Sequence, residues 1–316
     1  MHKMVQASPP NAQNSTQEIV DTLCRDTKHA SRALAQTSEA KINTVLSDIA
    51  KDLRAQYTFI LQENAKDLKN AEQRGLTKAM IDRLTLDEKR VNAIADGVEI
   101  IVNLPDPVGR ILWDTNRPNG LNIKRVSVPI GVLGMIYESR PNVTVDAAAL
   151  CLKSRNGVVL RGGSESIYSS LALHKIIQEN LEKHGIDPAA VSMIPTKDRE
   201  AVGALLNAAH SVDAIIPRGG KSLIERVMND AKMPVFSHLD GICHIYIHPS
   251  VQPDIAKEVT LNAKLRRTGI CGAMETLLLD DNLDNSIATQ TISTLLDQGC
   301  EIVGDTKAQS LDSRIK

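Results

Sequence analysis

One cysteine stands in surroundings that favour a nucleophile. Cys271 closes the segment NAKLRRTGIC at 262–271, where a glycine turn follows Lys264, Arg266 and Arg267. Nearby cations lower the pKa of a thiol and make the reactive thiolate available near neutral pH. The alternative is a buried structural cysteine, the usual state of a free cysteine. The remaining cysteines fit that alternative because they fall in or beside helical and strand-like segments: Cys24, Cys151, Cys243 and Cys300.

An asparagine follows the first predicted buried strand. Asn142 lies in the turn YESRPNV at 137–143, where Pro141 suits the first turn of a helix. The Asn142 amide could donate a hydrogen bond to an oxyanion that develops on a substrate carbonyl. It could equally cap the helix that follows, since asparagine is a preferred N-cap residue. The turn by itself leaves both roles open.

Two glycine-rich turns could bind a phosphate group. The turns LRGGSES at 160–166 and IPRGGKS at 216–222 each follow a predicted strand and precede a predicted helix. Bare backbone amides at a helix start attract anions, and Arg161 could pair with a ribose phosphate. Glycine and serine are also ordinary turn residues. The second turn lacks the spacing of the GxGxxG and P-loop motifs, so neither turn identifies a nucleotide site alone.

No metal site or hydrolase triad stands out. The eight histidines show no Ser/His/Asp arrangement, and the five cysteines include no CxxC pair. His238, in SHLDG at 237–241, stands at another predicted strand end, where a satisfied structural histidine is the ordinary interpretation. An odd number of widely spaced cysteines favours a reducing compartment over a disulfide framework.

The turns that carry these residues belong to an alternation of strands and helices. Short apolar runs predict buried strands at 131–137, 158–160, 191–194 and 214–216. Helical patterns follow each of them, at 143–153, 166–184, 199–209 and 221–229. This alternation is typical of a parallel sheet covered on both faces. Because ligands bind beyond the carboxyl ends of such strands, we expect the polar turns to meet at one edge of the sheet.

Other segments flank this alternation. Residues 16–103 have a helical period, and Thr85-Leu-Asp-Glu88 predicts a capping box at a helix start. Proline, glycine and asparagine at 104–120 predict a connection, and the alternation at 121–128 predicts an edge or interfacial strand. A second series predicts strands and helices at 243–247, 253–264, 276–279, 285–298 and 301–303.

Length and charge limit the possible functions. A chain of 316 residues exceeds the usual size of one compact core and predicts two domains. Its 42% hydrophobic and 24% charged residues are typical of a globular protein. A formal net charge of -1 leaves no basic footprint for nucleic acid or an anionic membrane, and no segment has the apolar length of a membrane span. We therefore expect neither a nucleic acid nor a membrane as a partner.

Longer motifs resemble one protein family. The segments ESRPNVT (138–144), VVLRGGSES (158–166), IPRGG (216–220), GICHIYI (241–247) and NAKLRRTGIC (262–271) occur in this order. Together they closely resemble the γ-glutamyl phosphate reductase family, which is of the aldehyde dehydrogenase type. The resemblance covers nearly the whole chain and is specific because several long motifs coincide.

The resemblance implies a fold and a division into domains. It implies an α/β, aldehyde-dehydrogenase-like fold with open, mostly parallel sheets and N-terminal helices. We expect a disordered N-terminus at 1–15, an NADP-binding domain at 16–237 and the first part of a catalytic domain at 238–316. Within the NADP-binding domain, the strand segment 120–129 would belong to an oligomerisation or bridging element.

An activity is also implied. The family reduces L-glutamyl 5-phosphate to L-glutamate 5-semialdehyde with NADPH and releases phosphate, the second step of proline biosynthesis from glutamate. The resemblance makes Cys271 the nucleophile that forms a thioester, with Asn142 and the Cys271 backbone N–H as the oxyanion hole. It further implies a cytoplasmic enzyme, glutamate 5-kinase as its pathway neighbour, and a homo-oligomer for the full-length protein.

Further residues are assigned to NADP(H) and to the substrate by the same resemblance. Arg161 and Ser164 would approach the adenosine 2′-phosphate, and Gly219 and Gly220 would let a helix start come near the pyrophosphate. The implied cofactor-binding set is Arg161, Gly162, Ser164, Arg218, Gly219, Gly220 and His238. The implied substrate-binding set is Arg140, Arg266 and Arg267. No metal is implied.

The sequence departs from the family pattern at several positions. His238 stands where hydrolytic aldehyde dehydrogenases have the glutamate that activates water, which agrees with acyl-phosphate chemistry. Gly272 follows the nucleophile where asparagine is expected. The chain ends at Lys316, before a later family motif and a terminal strand, so we expect an unpaired sheet edge and a poorly active or unstable isolated chain. The alternatives are another NAD(P)-dependent semialdehyde dehydrogenase and an inactive, truncated cofactor-binding remnant.

Overall fold

The computed structural model describes residues 15–238, 241–268 and 270–316. The chain divides into two compact units, Met1–Ser237 and His238–Lys316. The predicted disordered N-terminus at 1–15 lies outside the described residues, apart from Ser15. Each unit has a hydrophobic core of its own and is described separately.

Helices form the N-terminal part of the first unit, as predicted. They are α1 (Thr16–Leu34), α2 (Glu39–Ala55), α3 (Tyr57–Gln73), α4 (Lys78–Leu84) and α5 (Glu88–Val102). A capping box opens α1, where the Ser15 hydroxyl accepts from the Glu18 N–H and the Glu18 carboxylate accepts from the Ser15 N–H. Each apolar stripe faces inward, so α2 packs on α5, and α3 packs on a later helix, α7 (Ile167–Lys183).

The predicted capping box at Thr85 is wrong. Thr85 instead closes α4, and its hydroxyl donates to the Ile81 carbonyl oxygen at 2.8 Å. Asp87 caps α5 by accepting a hydrogen bond from the Arg90 N–H at 2.6 Å. The two helices are separated by a short turn, so the helix begins two residues later than the Thr/Glu spacing indicates, and an aspartate, another preferred N-cap residue, supplies the cap.

A parallel sheet forms the centre of the first unit. Its strands, in the spatial order β5, β4, β3, β6, are all parallel. The strands are β3 (Val132–Tyr137), β4 (Gly157–Arg161), β5 (Val191–Met193) and β6 (Ala214–Arg218). A helix follows each strand: α6 (Asn142–Lys153), α7 (Ile167–Lys183), α8 (Glu200–Asn207) and α9 (Lys221–Asp230). The predicted alternation is confirmed, and one face carries α6 and α7 while the other carries α1 and α8.

An antiparallel ribbon joins the helices to the sheet. β2 (Asn122–Val126) confirms the predicted strand at 121–128. It pairs with β1 (Ile111–Asn116), so the prediction of a simple connection at 104–120 is wrong. Most residues of the ribbon are exposed. Because β1 has no buried face, its sequence does not alternate between apolar and polar residues, and this alternation is the usual signal of a strand.

The second unit is smaller. β7 (Cys243–Ile247) and β8 (Met274–Leu279) pair in parallel, with α10 (Pro253–Leu265), α11 (Asn285–Asp297) and α12 (Thr306–Gln309) around them. The predicted strand at 301–303 is wrong. Among the described residues, the backbone of this stretch bonds only to Lys316. The Ile302 carbonyl oxygen accepts from the Lys316 N–H at 3.0 Å, and the N–H of the next glycine, Gly304, donates to the Lys316 carbonyl oxygen at 3.0 Å. A strand needs a neighbouring strand to satisfy its ladder, and this segment has none in the part of the chain that the structure describes.

A buried ion pair fixes the turn that leads into β4. Arg155 has a left-handed φ of 55° and a side chain that is only 6% exposed. Its guanidinium donates to both carboxylate oxygens of Asp106 at 2.7 and 2.6 Å and to the Thr37 carbonyl oxygen at 2.7 Å. These contacts hold Arg155 in the left-handed backbone conformation, which residues with a side chain seldom adopt. The pair therefore ties the start of β4 to the helices.

Replacing this aspartate should destabilise the fold in a pH-dependent way. We expect Asp106→Asn to lower the free energy of unfolding at pH 7 by about 1–3 kcal/mol, because the buried guanidinium loses its charged partner. The hydrogen bond from Arg155 lowers the pKa of Asp106. The contribution is therefore complete above the unfolded-state pKa of about 4 and is lost as pH falls through the folded-state pKa.

Urea denaturation of both proteins at pH 7 and pH 3 measures this effect. The difference between wild type and Asp106→Asn should shrink at pH 3. The matched control is Asp114→Asn in the exposed ribbon, whose ion pair with Lys124 is 3.6 Å long and half exposed; it should cost less than about 0.5 kcal/mol. Equal losses for the two variants would contradict the assignment.

Candidate active site

A cleft of about 570 Å³ opens beyond the carboxyl ends of β3 and β4 in the first unit. The wall of this cleft includes four residues that the sequence singles out: Arg140, Arg161, Gly162 and Ser164. The glycine turn before α9 adjoins it, because the Gly220 N–H donates to the Glu138 carboxylate at 2.8 Å and Glu138 lines the cleft. The expected meeting of strand-end turns at one edge of the sheet is therefore observed within this unit.

Arg161 is buried and largely occupied by backbone carbonyls. The residue is 5% exposed, and its guanidinium donates to the carbonyl oxygens of Gly162 and, at 3.1 Å, of Asp198. Its Nε lies in the interior without a hydrogen-bond partner among the described residues. Burial lowers the pKa of Arg161, although nearby carboxylates such as Glu165 oppose the shift. The arginine is thus held rigidly, with one donor left for another acceptor.

A carboxylate organises the serines of the cleft. The Ser139 and Ser164 hydroxyls both donate to Glu165, at 2.7 and 2.9 Å, and Arg74 stands 3.9 Å from it. Burial alone raises the pKa of Glu165, but the hydrogen bonds from Ser139, its own N–H and Ser164, with the charge of Arg74, outweigh burial and lower it. Glu165 is therefore an ionised part of the wall, and Ser164 is oriented by it.

The cleft is also lined by cationic side chains that the sequence motifs do not identify. They are Arg83, Lys197, Arg199 and Arg226. Within the described part of the chain, the first three have no carboxylate within 4.0 Å, whereas Arg226 pairs with Asp230 at 3.6 Å. Lys197 and Arg199 follow β5, so a strand-end rule could have found them. Arg83 comes from α4, and nothing in its local sequence places it beside the sheet.

Asn142 is the first residue of α6 and does not cap it. Its side chain makes no capping hydrogen bond, so the helix-cap alternative is wrong. The Asn142 Nδ2 donates instead to the Asp146 carboxylate at 2.9 Å, one turn along the helix. An amide nitrogen carries two hydrogens, and this bond orients the group while one N–H remains for another acceptor.

Cys271 lies in the second unit, in the turn between α10 and β8. The thiol residue is exposed, and its backbone N–H has no acceptor within hydrogen-bond distance among the residues described. Arg266 and Arg267 are exposed nearby in sequence, whereas Lys264 pairs with Glu275 at 3.1 Å. The site therefore has an exposed cysteine and, as far as the described residues go, a backbone donor without an acceptor and two upstream arginines without a carboxylate partner.

The remaining cysteines and His238 differ from Cys271. Burial raises the pKa of Cys151 to about 12, and burial together with Asp21 raises that of Cys24 to about 12. Cys243 and Cys300 are partly buried. His238 is exposed and has no hydrogen-bond partner among the described residues. No group of metal-ligating side chains is found in the described ranges.

A family comparison agrees with this architecture. Residues 7–309 match the model of the aldehyde dehydrogenase family. The chain belongs to the aldehyde dehydrogenase family. The predicted α/β fold of this type and the prediction of an oxidoreductase of this family are therefore confirmed. Members of the family use nicotinamide cofactors and act on small molecules.

Two similar relatives and one solved structure carry the same name. The chain is 49% identical over 297 residues to the gamma-glutamyl phosphate reductase of Paramagnetospirillum magneticum. The alignment covers 94% of this chain and 70% of that protein. It is 47% identical to the one of Novosphingobium aromaticivorans, covering 97% and 72%. The crystal structure of the Thermotoga maritima gamma-glutamyl phosphate reductase superposes with a TM-score of 0.85 at 34% identity, covering 94% of this chain and 72% of that one.

More distant family structures share the fold. An acetylating aldehyde dehydrogenase of Geobacillus thermoglucosidasius aligns with a TM-score of 0.60 at 17% identity over 93% of this chain and 62% of that one. At that identity the likeness concerns the fold alone. Among the helices that the structure describes, none is long and apolar enough to cross a membrane.

The hydrogen bond of Asn142 should be measurable through its partner. Burial raises the pKa of Asp146, and the Asn142 amide and the charge of Arg218 oppose the shift. Asn142→Ala removes the donor and raises this pKa further. A carboxyl whose pKa is raised in the folded state destabilises the protein as pH rises and the group ionises. Asn142→Ala should therefore lower the free energy of unfolding by about 1 kcal/mol more at pH 7 than at pH 3.5.

Chemical denaturation at the two pH values measures this difference. The matched control compares Asp146→Asn with the double variant Asn142→Ala/Asp146→Asn. Without the titrating carboxyl, loss of the amide should cost the same at both pH values. If Asn142→Ala lowers the free energy of unfolding equally at both pH values while Asp146 is present, the Asn142 contact does not act on the carboxylate.

Proposed function

We propose that this chain catalyses the NADPH-dependent reduction of L-glutamyl 5-phosphate to L-glutamate 5-semialdehyde, with release of phosphate. The observation that carries the proposal is its 49% identity to a protein named gamma-glutamyl phosphate reductase over nearly the whole chain. The reaction would be the second step of proline biosynthesis from glutamate. Units Met1–Ser237 and His238–Lys316 would be the cofactor-binding domain and part of the catalytic domain.

Cys271 is the proposed nucleophile. Its thiolate attacks the acyl phosphate carbonyl carbon, the C–O bond to phosphate breaks, and a thioester with the Cys271 sulfur remains. Exposure of the sulfur and the nearby arginines, Arg266 and Arg267, support this role, because cations favour the thiolate and would attract the anionic substrate. Arg140 is the third proposed substrate-binding residue.

The proposed oxyanion donors are the Asn142 amide and the Cys271 backbone N–H. Each retains a donor without an acceptor among the described residues, as the role requires. Phosphate is a good leaving group, so polarisation of the carbonyl matters more than protonation of the leaving oxygen. His238 in place of the glutamate of hydrolytic family members would spare the thioester from activated water.

The cleft of the first unit fits a phosphorylated nucleotide. Its basic wall, the unpaired Nε of the buried Arg161 and the glycine turns support binding of several phosphate groups. NADPH, when bound, supplies the hydride that reduces the thioester. Arg161 and Ser164 would approach the adenosine 2′-phosphate. Gly162, Arg218, Gly219, Gly220 and His238 complete the proposed set.

Partners and location follow from the same proposal. We expect a cytoplasmic enzyme that receives its substrate from glutamate 5-kinase. A homo-oligomer in the full-length protein is supported by the exposed apolar side chains of the ribbon, such as Trp113 and Ile123, which are 50% and 40% exposed.

Removing the thiol should stop chemistry and leave cofactor binding intact. Cys271→Ser should lower phosphate-dependent NADP reduction with pyrroline-5-carboxylate by at least about a thousandfold, since no thioester can form. Binding of NADPH, followed by fluorescence titration, should match wild type. Cys300→Ser is the control, because this partly buried cysteine of the same unit has no proposed role.

The outcomes separate the rival functions. A cofactor-binding remnant would bind NADPH with or without Cys271 and trap no acyl group in wild type. Another semialdehyde dehydrogenase of this fold would oxidise its aldehyde without phosphate. Phosphate-independent turnover, or full activity in Cys271→Ser, would refute the proposed reaction.

A negative charge at residue 164 should change the choice of cofactor. Ser164→Glu would place a carboxylate where the 2′-phosphate is proposed to bind, beside Glu165. We expect the Kd for NADPH to rise by at least about tenfold through like-charge repulsion. The Kd for NADH should change far less, and NADH is the internal control. Equal changes for the two cofactors would place the 2′-phosphate elsewhere.

A further inference from the structure

A carboxylate of the chain itself occupies the N-terminus of α9. This helix runs from Lys221 to Asp230, and the Gly220 N–H just before it donates to the Glu138 Oε1 at 2.8 Å. The N–H groups of Lys221 and Ser222 have no acceptor within hydrogen-bond distance among the described residues. Glu138 therefore holds the position that backbone amides and the helix dipole make favourable for an anion.

The contact is close because residue 219 has no side chain. A Cβ placed on Gly219 would lie 2.7 Å from the Glu138 Cδ and 2.8 Å from its Oε1. Glu138 is itself exposed and makes no ion pair in the described ranges, so a single backbone amide holds its carboxylate. An exposed carboxylate with one such hydrogen bond can be displaced by a stronger anion.

The surrounding cleft is built for anions. Glu138 and Ser222 line the same cleft as Arg161, which is 5% exposed and whose Nε has no partner within the described ranges. The other carboxylate of the wall, Glu165, is committed to the hydroxyls of Ser139 and Ser164. A phosphate group that binds the Gly220 N–H must therefore displace Glu138, whose carboxylate occupies that donor, whereas the described hydrogen bonds of Glu165 come from Ser139 and Ser164.

We propose that Glu138 is an internal competitor for the phosphate groups of the cofactor. Its carboxylate binds the Gly220 N–H until the pyrophosphate of a dinucleotide replaces it, and it returns when the dinucleotide leaves. This inference rests on the proposed function, in which Gly219 and Gly220 approach the pyrophosphate. Glu138 lowers the affinity for the cofactor and promotes its release, so it determines how long the cofactor stays bound.

Glu138→Gln tests this role because it keeps the shape and an oxygen acceptor but removes the charge. The variant should bind NADPH and NADH more tightly by the same factor, roughly two- to fivefold, the effect of one charge at a helix N-terminus. Stopped-flow dissociation should be slower by a similar factor. The control is Glu182→Gln, an exposed charge near the end of α7, which should leave both constants unchanged.

Inorganic pyrophosphate is the second probe. It should also bind Glu138→Gln more tightly than wild type, whether or not dinucleotides bind. Wild type that binds neither NADPH nor NADH would overturn the proposed function. Dinucleotide binding by wild type with equal or weaker binding by Glu138→Gln, at an unchanged Tm, would overturn the role of Glu138 alone.

Discussion

The hydrogen-bond register of β3 between β4 and β6 is the constraint on which the cofactor cleft depends. Ile136 lies opposite Arg161 on one side, and Tyr137 lies opposite Arg218 on the other. The strands are parallel, so all of them end at the same edge and deliver their polar turns there. A slip of one residue would turn Arg161 to the opposite face of the sheet. The strands resist such a slip because both faces of the sheet are closely packed, and side chains exchanged between the faces would no longer fit the helices that cover them.

Charge in the cleft is arranged by burial as much as by composition. Arg161 is committed to carbonyl oxygens, and this fixes its position but leaves little of its guanidinium for a ligand. The exposed cations Lys197 and Arg199 line the cleft and have no carboxylate partner in the described ranges, although the Lys197 ammonium lies 4.9 Å from the centroid of the Tyr168 ring. The negative charges of Glu138 and Glu165 oppose these cations. Glu138 accepts a hydrogen bond from a backbone amide, and Glu165 accepts hydrogen bonds from serine hydroxyls. The cleft therefore combines attraction for a polyanion with groups that limit its affinity.

Predictions from sequence succeeded where a single period dominates. The runs at 131–137 and 214–216 are apolar throughout because both faces of the sheet are covered, and they are strands in the structure. The prediction was wrong at 301–303, where the Glu-Ile-Val segment has no neighbouring strand among the described residues. It missed β1 because the ribbon is exposed, and it placed the start of α5 too early because threonine and aspartate are both good caps.

The sequence by itself determined the class of the fold, the turns that carry polar residues and the cysteine most suited to be a nucleophile, because periodicity and motif spacing are local properties of the chain. Only the tertiary structure decided which groups are free. It showed Arg161 occupied by carbonyls, Asn142 bound to Asp146 and Glu138 seated on α9. Arg83 joined the cleft from a helix far away in sequence. Such contacts depend on the packing of distant elements, which no local pattern encodes.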